Sequence, residues 1–154
     1  MIKTLSATAA ALAFMVSQTA YAQSFTSAGT YIYEGDGVLV QKGSGPLLSC
    51  KLHVEIVSDG TTITATPSLT GYFGFCSTVV FNNAPYNVVV SGSTVTFQNV
   101  YADTTITPGD CSGDITATWD AGPPENLTVS TTLPEVTAST GDCTISGNIV
   151  QIFP

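Results

Sequence analysis

The residues of this chain that could do chemistry are one histidine, a few carboxylates and four cysteines. His53 would have to sit recessed beside an activated serine to serve a hydrolase. It alternates instead with Lys51 and Glu55 on the polar side of a strand pattern, and no G-x-S-x-G elbow occurs. Asp110, Asp114, Asp120 and Glu125 are the carboxylates that could pair for glycoside hydrolysis. They stand among Gly and Pro, where Asp commonly stabilises the turn itself. Asp103, Asp110, Asp114 and Asp142 are the weak calcium candidates, as hard oxygen ligands on loops that could converge at one end of a β-domain. No D-x-D-x-D-G run fixes that geometry. The expectation is therefore no catalytic residue, no metal and no cofactor.

Cys50, Cys76, Cys111 and Cys143 form an even set without C-x2-C spacing, which in an exported chain favours two disulfides over a zinc site. Three pairings are open. Cys50–Cys76 with Cys111–Cys143 is favoured, because each bond then staples sequence neighbours in a meander. The aromatic residues are the candidates for an apolar contact surface: Tyr31 and Tyr33 on one face of a strand, and Tyr72, Phe73 and Phe75 around Gly71 and Gly74. In the second group Tyr72, Gly74 and Cys76 alternate with Phe73 and Phe75, so one of the two sets faces away from the core. Trp119, in phase with Ile115 and Ala117, reads as core.

The elements that must position these residues are strands. Cys50, Leu52, Val54 and Ile56 alternate with polar neighbours and lead to Asp59-Gly60, a two-residue hairpin signal. Folding across that turn sets Ile63 opposite Ile56, Ala65 opposite Val54 and Pro67 opposite Leu52. Pro67 cannot donate to a ladder, which predicts an edge or a bulge there. Val88 and Val90 return through Gly92-Ser93 to Val95 and Phe97. Ile115, Ala117 and Trp119 return through residues 121–124 to Leu127 and Val129. Segments near 28–33, 37–42, 75–81 and 143–152 complete eight to ten strands. The pattern predicts an antiparallel β-sandwich, with a closed β-barrel as the alternative. Gly109-Asp110-Cys111 and Gly141-Asp142-Cys143 echo one another as two equivalent strand starts.

The first 22 residues read as a signal peptide: Lys3, an apolar run from Leu5 to Val16, then Ala20-Tyr21-Ala22. Residues 23–154 are then one secreted domain, extracellular, at the cell surface or periplasmic, with no transmembrane segment. Cleavage removes Lys3 and no acid, leaving two lysines against 11 acids, a net charge of −9, and there is no arginine. Two lysines cannot build a basic patch, which excludes nucleic-acid and anionic-lipid partners. With 9% charged and 44% hydrophobic residues, the composition suits an extracellular β-protein of a wall, fibre or matrix.

One set of motifs carries a family resemblance. Leu47-Leu48-Ser49-Cys50 is followed by Gly71-Tyr72-Phe73-Gly74-Phe75-Cys76 and Ala84-Pro85-Tyr86-Asn87-Val88. Then come Cys111 before Ile115-Thr116-Ala117-Thr118-Trp119, and Cys143-Thr144-Ile145-Ser146-Gly147. This order resembles the exported bacterial activators of alkane oxidation, the PraB-like family, in which many members carry Trp where Tyr86 stands here. The resemblance implies a secreted, non-enzymatic helper in growth on water-insoluble hydrocarbons and supplies no ligand residues. Function is accordingly expected to lie in contact with hydrophobic small molecules or an oil surface. The alternative is a self-associating matrix, fibre or adhesin-type subunit built on exposed strand edges.

Overall fold

The computed structural model describes residues 27–153. The expected signal peptide, residues 1–22, lies outside the described residues. Nine strands follow one another: β1 (Gly29–Lys42), β2 (Leu48–Ser58), β3 (Ile63–Thr70), β4 (Val79–Asn82), β5 (Tyr86–Ser91), β6 (Thr94–Thr104), β7 (Asp110–Asp120), β8 (Asn126–Leu133) and β9 (Cys143–Phe153). All pairings are antiparallel, and most join chain neighbours; β3 skips β4 to pair with β5. β1 also pairs with β9. β4 and β5 share one position, both pairing with the same side of β6 at its two halves.

Of the two architectures open to the sequence, the sheet takes the closed one: eight strand positions run round into an antiparallel barrel. A sandwich and a barrel demand the same alternation of apolar and polar residues, so periodicity could not separate them. Pairing of β1 with both β2 and β9, and of β6 with both β5 and β7, leaves neither β1 nor β6 as an edge. The inward residues, among them Tyr33, Val54, Ile56, Val95, Leu127 and Ile149, form one continuous core. Each such aliphatic side chain contributes about 1.5–3 kcal/mol on burial.

The thinnest seam lies between β3 and β5, which share only the pairs Thr64–Asn87 and Ala65–Tyr86. Pro67 sits on β3 just beyond that pairing, where no ladder donor is needed, as an edge-seeking proline should. The β2–β3 hairpin differs from expectation by two residues. Ile56 faces Ala65, and Val54 faces Pro67. The loop is longer because the Asp59 carboxylate accepts hydrogen bonds from the N–H groups of Thr61 (2.8 Å) and Thr62 (2.6 Å). A shift of two keeps every side chain on its predicted face. The Gly92-Ser93 turn keeps the predicted register, with Val88 opposite Phe97 and Val90 opposite Val95.

Residues 28–33 and 37–42, expected as two strands, are one long strand interrupted by a bulge between Gly35 and Val38. The bulge changes the phase of β1. Tyr31 and Tyr33 point inward before it, and Val38, Val40 and Lys42 point inward after it. Gly35 lies against Asn148 and Ile149 so closely that a Cβ there would meet the Asn148 carbonyl oxygen at 2.2 Å. Only glycine permits that approach.

Cys50 is bonded to Cys76 and Cys111 to Cys143. Both disulfides lie at one end of the barrel, where β1, β3, β6 and β8 finish. The Cys111–Cys143 bond ties β7 to β9 across β8, so the two echoing Gly-Asp-Cys segments are equivalent strand starts, joined to each other.

Candidate functional site

Side chains singled out for chemistry fall into structural roles. His53 lies half-exposed on the outer face, its Nδ1 2.9 Å from the Glu34 carboxylate. Lys51 approaches the other oxygen of the same group at 2.6 Å. The Lys51 hydrogen bond, seconded by His53, lowers the Glu34 pKa, and the Glu34 carboxylate raises that of Lys51. Among the carboxylates, Asp120 accepts from Gly122 N–H, Asp114 from Asn99 N–H and Asp142 from Glu135 N–H. Asp110 accepts from the Tyr101 hydroxyl and raises its pKa. Asp103 stands opposite Asp110 in the β6–β7 ladder. Among the described residues no three His, Cys, Asp or Glu side chains gather to hold a metal.

Tyr31 and Tyr33, expected as part of a contact surface, are core residues instead, 7% and 0% exposed. Their shared strand face is the barrel interior. The Tyr33 hydroxyl and the Trp119 indole N–H both donate to one oxygen of Glu125, at 2.9 and 3.3 Å. These three residues fill the end of the barrel opposite the disulfides. The remaining aromatics go the other way. Phe73 is 99% and Phe75 45% exposed, on the β3–β4 connection at the disulfide end. Tyr72 belongs to the same short 3-10 turn, and its side chain lies outside the described set.

At the disulfide end the interior is open. A cavity of about 600 Å³, its mouth included, is walled by Val40, Leu48, Leu69, Phe81, Ile115 and Ile145, with other apolar neighbours. Phe81, Ile115 and Ile145 also wall a deeper space of about 400 Å³ that reaches Leu52, Val100 and Ile149. Both spaces are lined mostly by apolar side chains. The connections at this end each carry an exposed apolar residue: Leu47 between β1 and β2, Phe73 and Phe75 between β3 and β4, Ile106 between β6 and β7, and Val136 between β8 and β9. Phe73 is held at φ +53°. For an L-residue that conformation costs about 1–2 kcal/mol.

Lys42 is the one charged residue lining either space, a placement inside the barrel that the strand pattern did not predict. It is 5% exposed. Its Nζ donates to the Gly141 carbonyl at 2.7 Å and approaches Thr140 Oγ1 at 3.4 Å and the Cys111 sulfur at 3.5 Å. The β8–β9 loop beside it is tied by Glu135, whose carboxylate accepts from the N–H groups of Gly141 and Ser139. Those bonds lower the Glu135 pKa, with a smaller contribution from the charge of Lys42. The loops are in close contact: Gly141 has φ +84°, and a Cβ there would meet Gly43 Cα at 2.5 Å.

Among the described residues no helix is long and apolar enough to cross a membrane. Two disulfides suggest a non-cytoplasmic compartment. No curated protein and no solved structure matches the chain. A family model described as alkane oxidation protein activator, PraA/PraB-like, matches residues 1–152. With nearly its whole length covered, the chain belongs to the PraA/PraB-like family of alkane oxidation protein activators.

Proposed function

We propose that this protein is an exported, non-enzymatic accessory of alkane oxidation that takes a hydrocarbon chain into the barrel through its open end. One observation carries the reading: an apolar lumen whose mouth lies among exposed apolar residues on the connections of that end. Phe73 and Phe75 support it, since exposed aromatic residues on the connection at that end suit contact with something apolar. The acidic composition disfavours docking on an anionic lipid surface. A closed barrel offers few free strand edges, which takes support from the matrix-subunit alternative.

The test is a homologous series of n-alkanes titrated against the purified protein by displacement of a neutral fluorescent probe. Each methylene buried contributes about 0.8 kcal/mol, so affinity should rise about fourfold per carbon until the lumen is filled, then level off. Phe73→Ser should weaken adsorption to a hexadecane–water interface. Affinity indifferent to chain length, or ordered filaments formed without any oil, would overturn the proposal.

A further inference from the structure

We infer that the lumen takes an alkyl chain bearing a terminal carboxylate, with Lys42 as the group that receives it. This rests on the lumen being a binding site and adds what kind of molecule enters it.

The argument begins with how little positive charge the chain has. Lys3, Lys42 and Lys51 are its only lysines, and arginine is absent. Lys51 is committed outside the barrel to Glu34 at 2.6 Å. Lys42 is turned inward by the β1 bulge, 5% exposed, at the wall of an otherwise uncharged cavity. Burying an ammonium is expensive unless it is paired. Among the described residues the ion pairs are those of Glu34, so no carboxylate comes within 4.0 Å of Lys42. Glu135, the loop acid on which the Lys42 charge acts, is committed to the backbone N–H groups of Gly141 and Ser139.

Lys42 has three donors and only one short acceptor, the Gly141 carbonyl at 2.7 Å. The contacts to Thr140 and to a disulfide sulfur, at 3.4 and 3.5 Å, are long, and sulfur is a weak acceptor. A carboxylate oxygen would complete the ammonium with a charge-assisted bond. Thr104 and Thr107 hydroxyls line the same mouth. A single cation at the rim of an apolar cavity selects a monoanionic head on a hydrophobic tail. A terminal carboxylate is also what full oxidation of an alkyl chain end yields, so the site would hold oxidised product.

The experiment compares decanoate, decan-1-ol, decyltrimethylammonium and decane on the purified protein by displacement of the same neutral probe. Decanoate should bind about tenfold or more tightly than decan-1-ol, as one added charge-assisted bond would give, and decyltrimethylammonium should bind worst. Lys42→Met should bring the decanoate to decan-1-ol ratio to about one, and Lys42→Arg should preserve the preference. Because Lys42→Met also removes the bond to Gly141, the unaltered protein carrying 13C at lysine Cε provides a second reading. Decanoate should shift the Lys42 resonance and leave Lys51 in place. Equal affinity for decanoate and decan-1-ol, a preference that survives Lys42→Met, or an unmoved Lys42 signal would overturn the assignment. If decane binds and decanoate binds no better, the carboxylate assignment alone falls. If no decyl compound binds, the lumen reading falls with it.

Discussion

The two ends of the barrel are built on opposite principles. At the closed end the turns are short and polar, and local bonds hold them: Asp59 caps Thr61 and Thr62, and Asp120 caps Gly122. Tyr33 and Trp119 fill the interior there and share the Glu125 carboxylate. At the open end the connections are longer and expose Leu47, Phe73, Phe75, Ile106 and Val136. Both disulfides are at that end. The difference teaches where covalent constraint is needed. Loops that leave apolar side chains outside the fold gain little from burial, so cross-links and glycine-tight contacts hold their shape. Local unfolding should begin at that end if its bonds are removed.

Trp119→Ala should have the largest effect, because it empties the packed end. Loss of a buried Trp costs about 3–5 kcal/mol, read as a lower midpoint in denaturant unfolding. A change under about 1 kcal/mol would mean that the interior aromatics do not support the barrel there. Next comes Cys111→Ala with Cys143→Ala. The bond closes a sequence separation of 32 residues, and in the chain-entropy model its removal costs about 3–4 kcal/mol. Hydrogen exchange should speed up in residues 134–142 while Tyr33 and Trp119 keep their protection. Equal loosening at both ends would break the comparison.

The smallest effect concerns acid. Glu135 at the open end is held below its ordinary 4.5 by the Gly141 and Ser139 N–H groups. Asp59 at the closed end is held below its ordinary 3.8 by those of Thr62 and Thr61. A carboxylate depressed in the folded state adds stability that is present above its unfolded value and lost as pH falls through its folded one. Asp59 is exposed and Glu135 partly so, and solvent screening keeps the losses modest. The stability gap between the parent protein and Glu135→Gln should therefore narrow as pH falls below about 4.5, and that for Asp59→Asn at lower pH. A gap that stays constant on acidification would remove Glu135 from the bonds that hold the mouth.

Much of this architecture was legible in the chain. Alternation named the inward residues of β2, β5, β6 and β7, and Gly92-Ser93 set one hairpin register outright. Trp119 was placed in the core by its phase with Ile115 and Ala117. The cysteine bonds join sequence neighbours because the sheet is a meander apart from β4, which pairs with β6 and leaves β3 to pair with β5. The candidate site was legible only in part. Phe73 and Phe75 stood out as aromatics among glycines, whereas Tyr31 and Tyr33 looked the same on paper and proved to be interior.

What the sequence determined by itself is the set of strands, the face each residue takes within a strand, the scarcity of positive charge and the motifs of its family. These are local or compositional properties, set by period-two patterning and turn chemistry. Closure belonged to tertiary structure, since a two-residue repeat is common to sandwiches and barrels and only the pairing of β1 with β9 and β6 with β7 distinguishes them. The direction of Lys42 belonged there as well. Strict alternation from Tyr31 and Tyr33 would have sent Leu39 and Gln41 inward, and the bulge between Gly35 and Val38, where β1 lies against β9, reverses that phase. A bulge depends on what the neighbouring strands demand, so the charged residue in the lining of the open-end cavity could be seen only once the strands were paired.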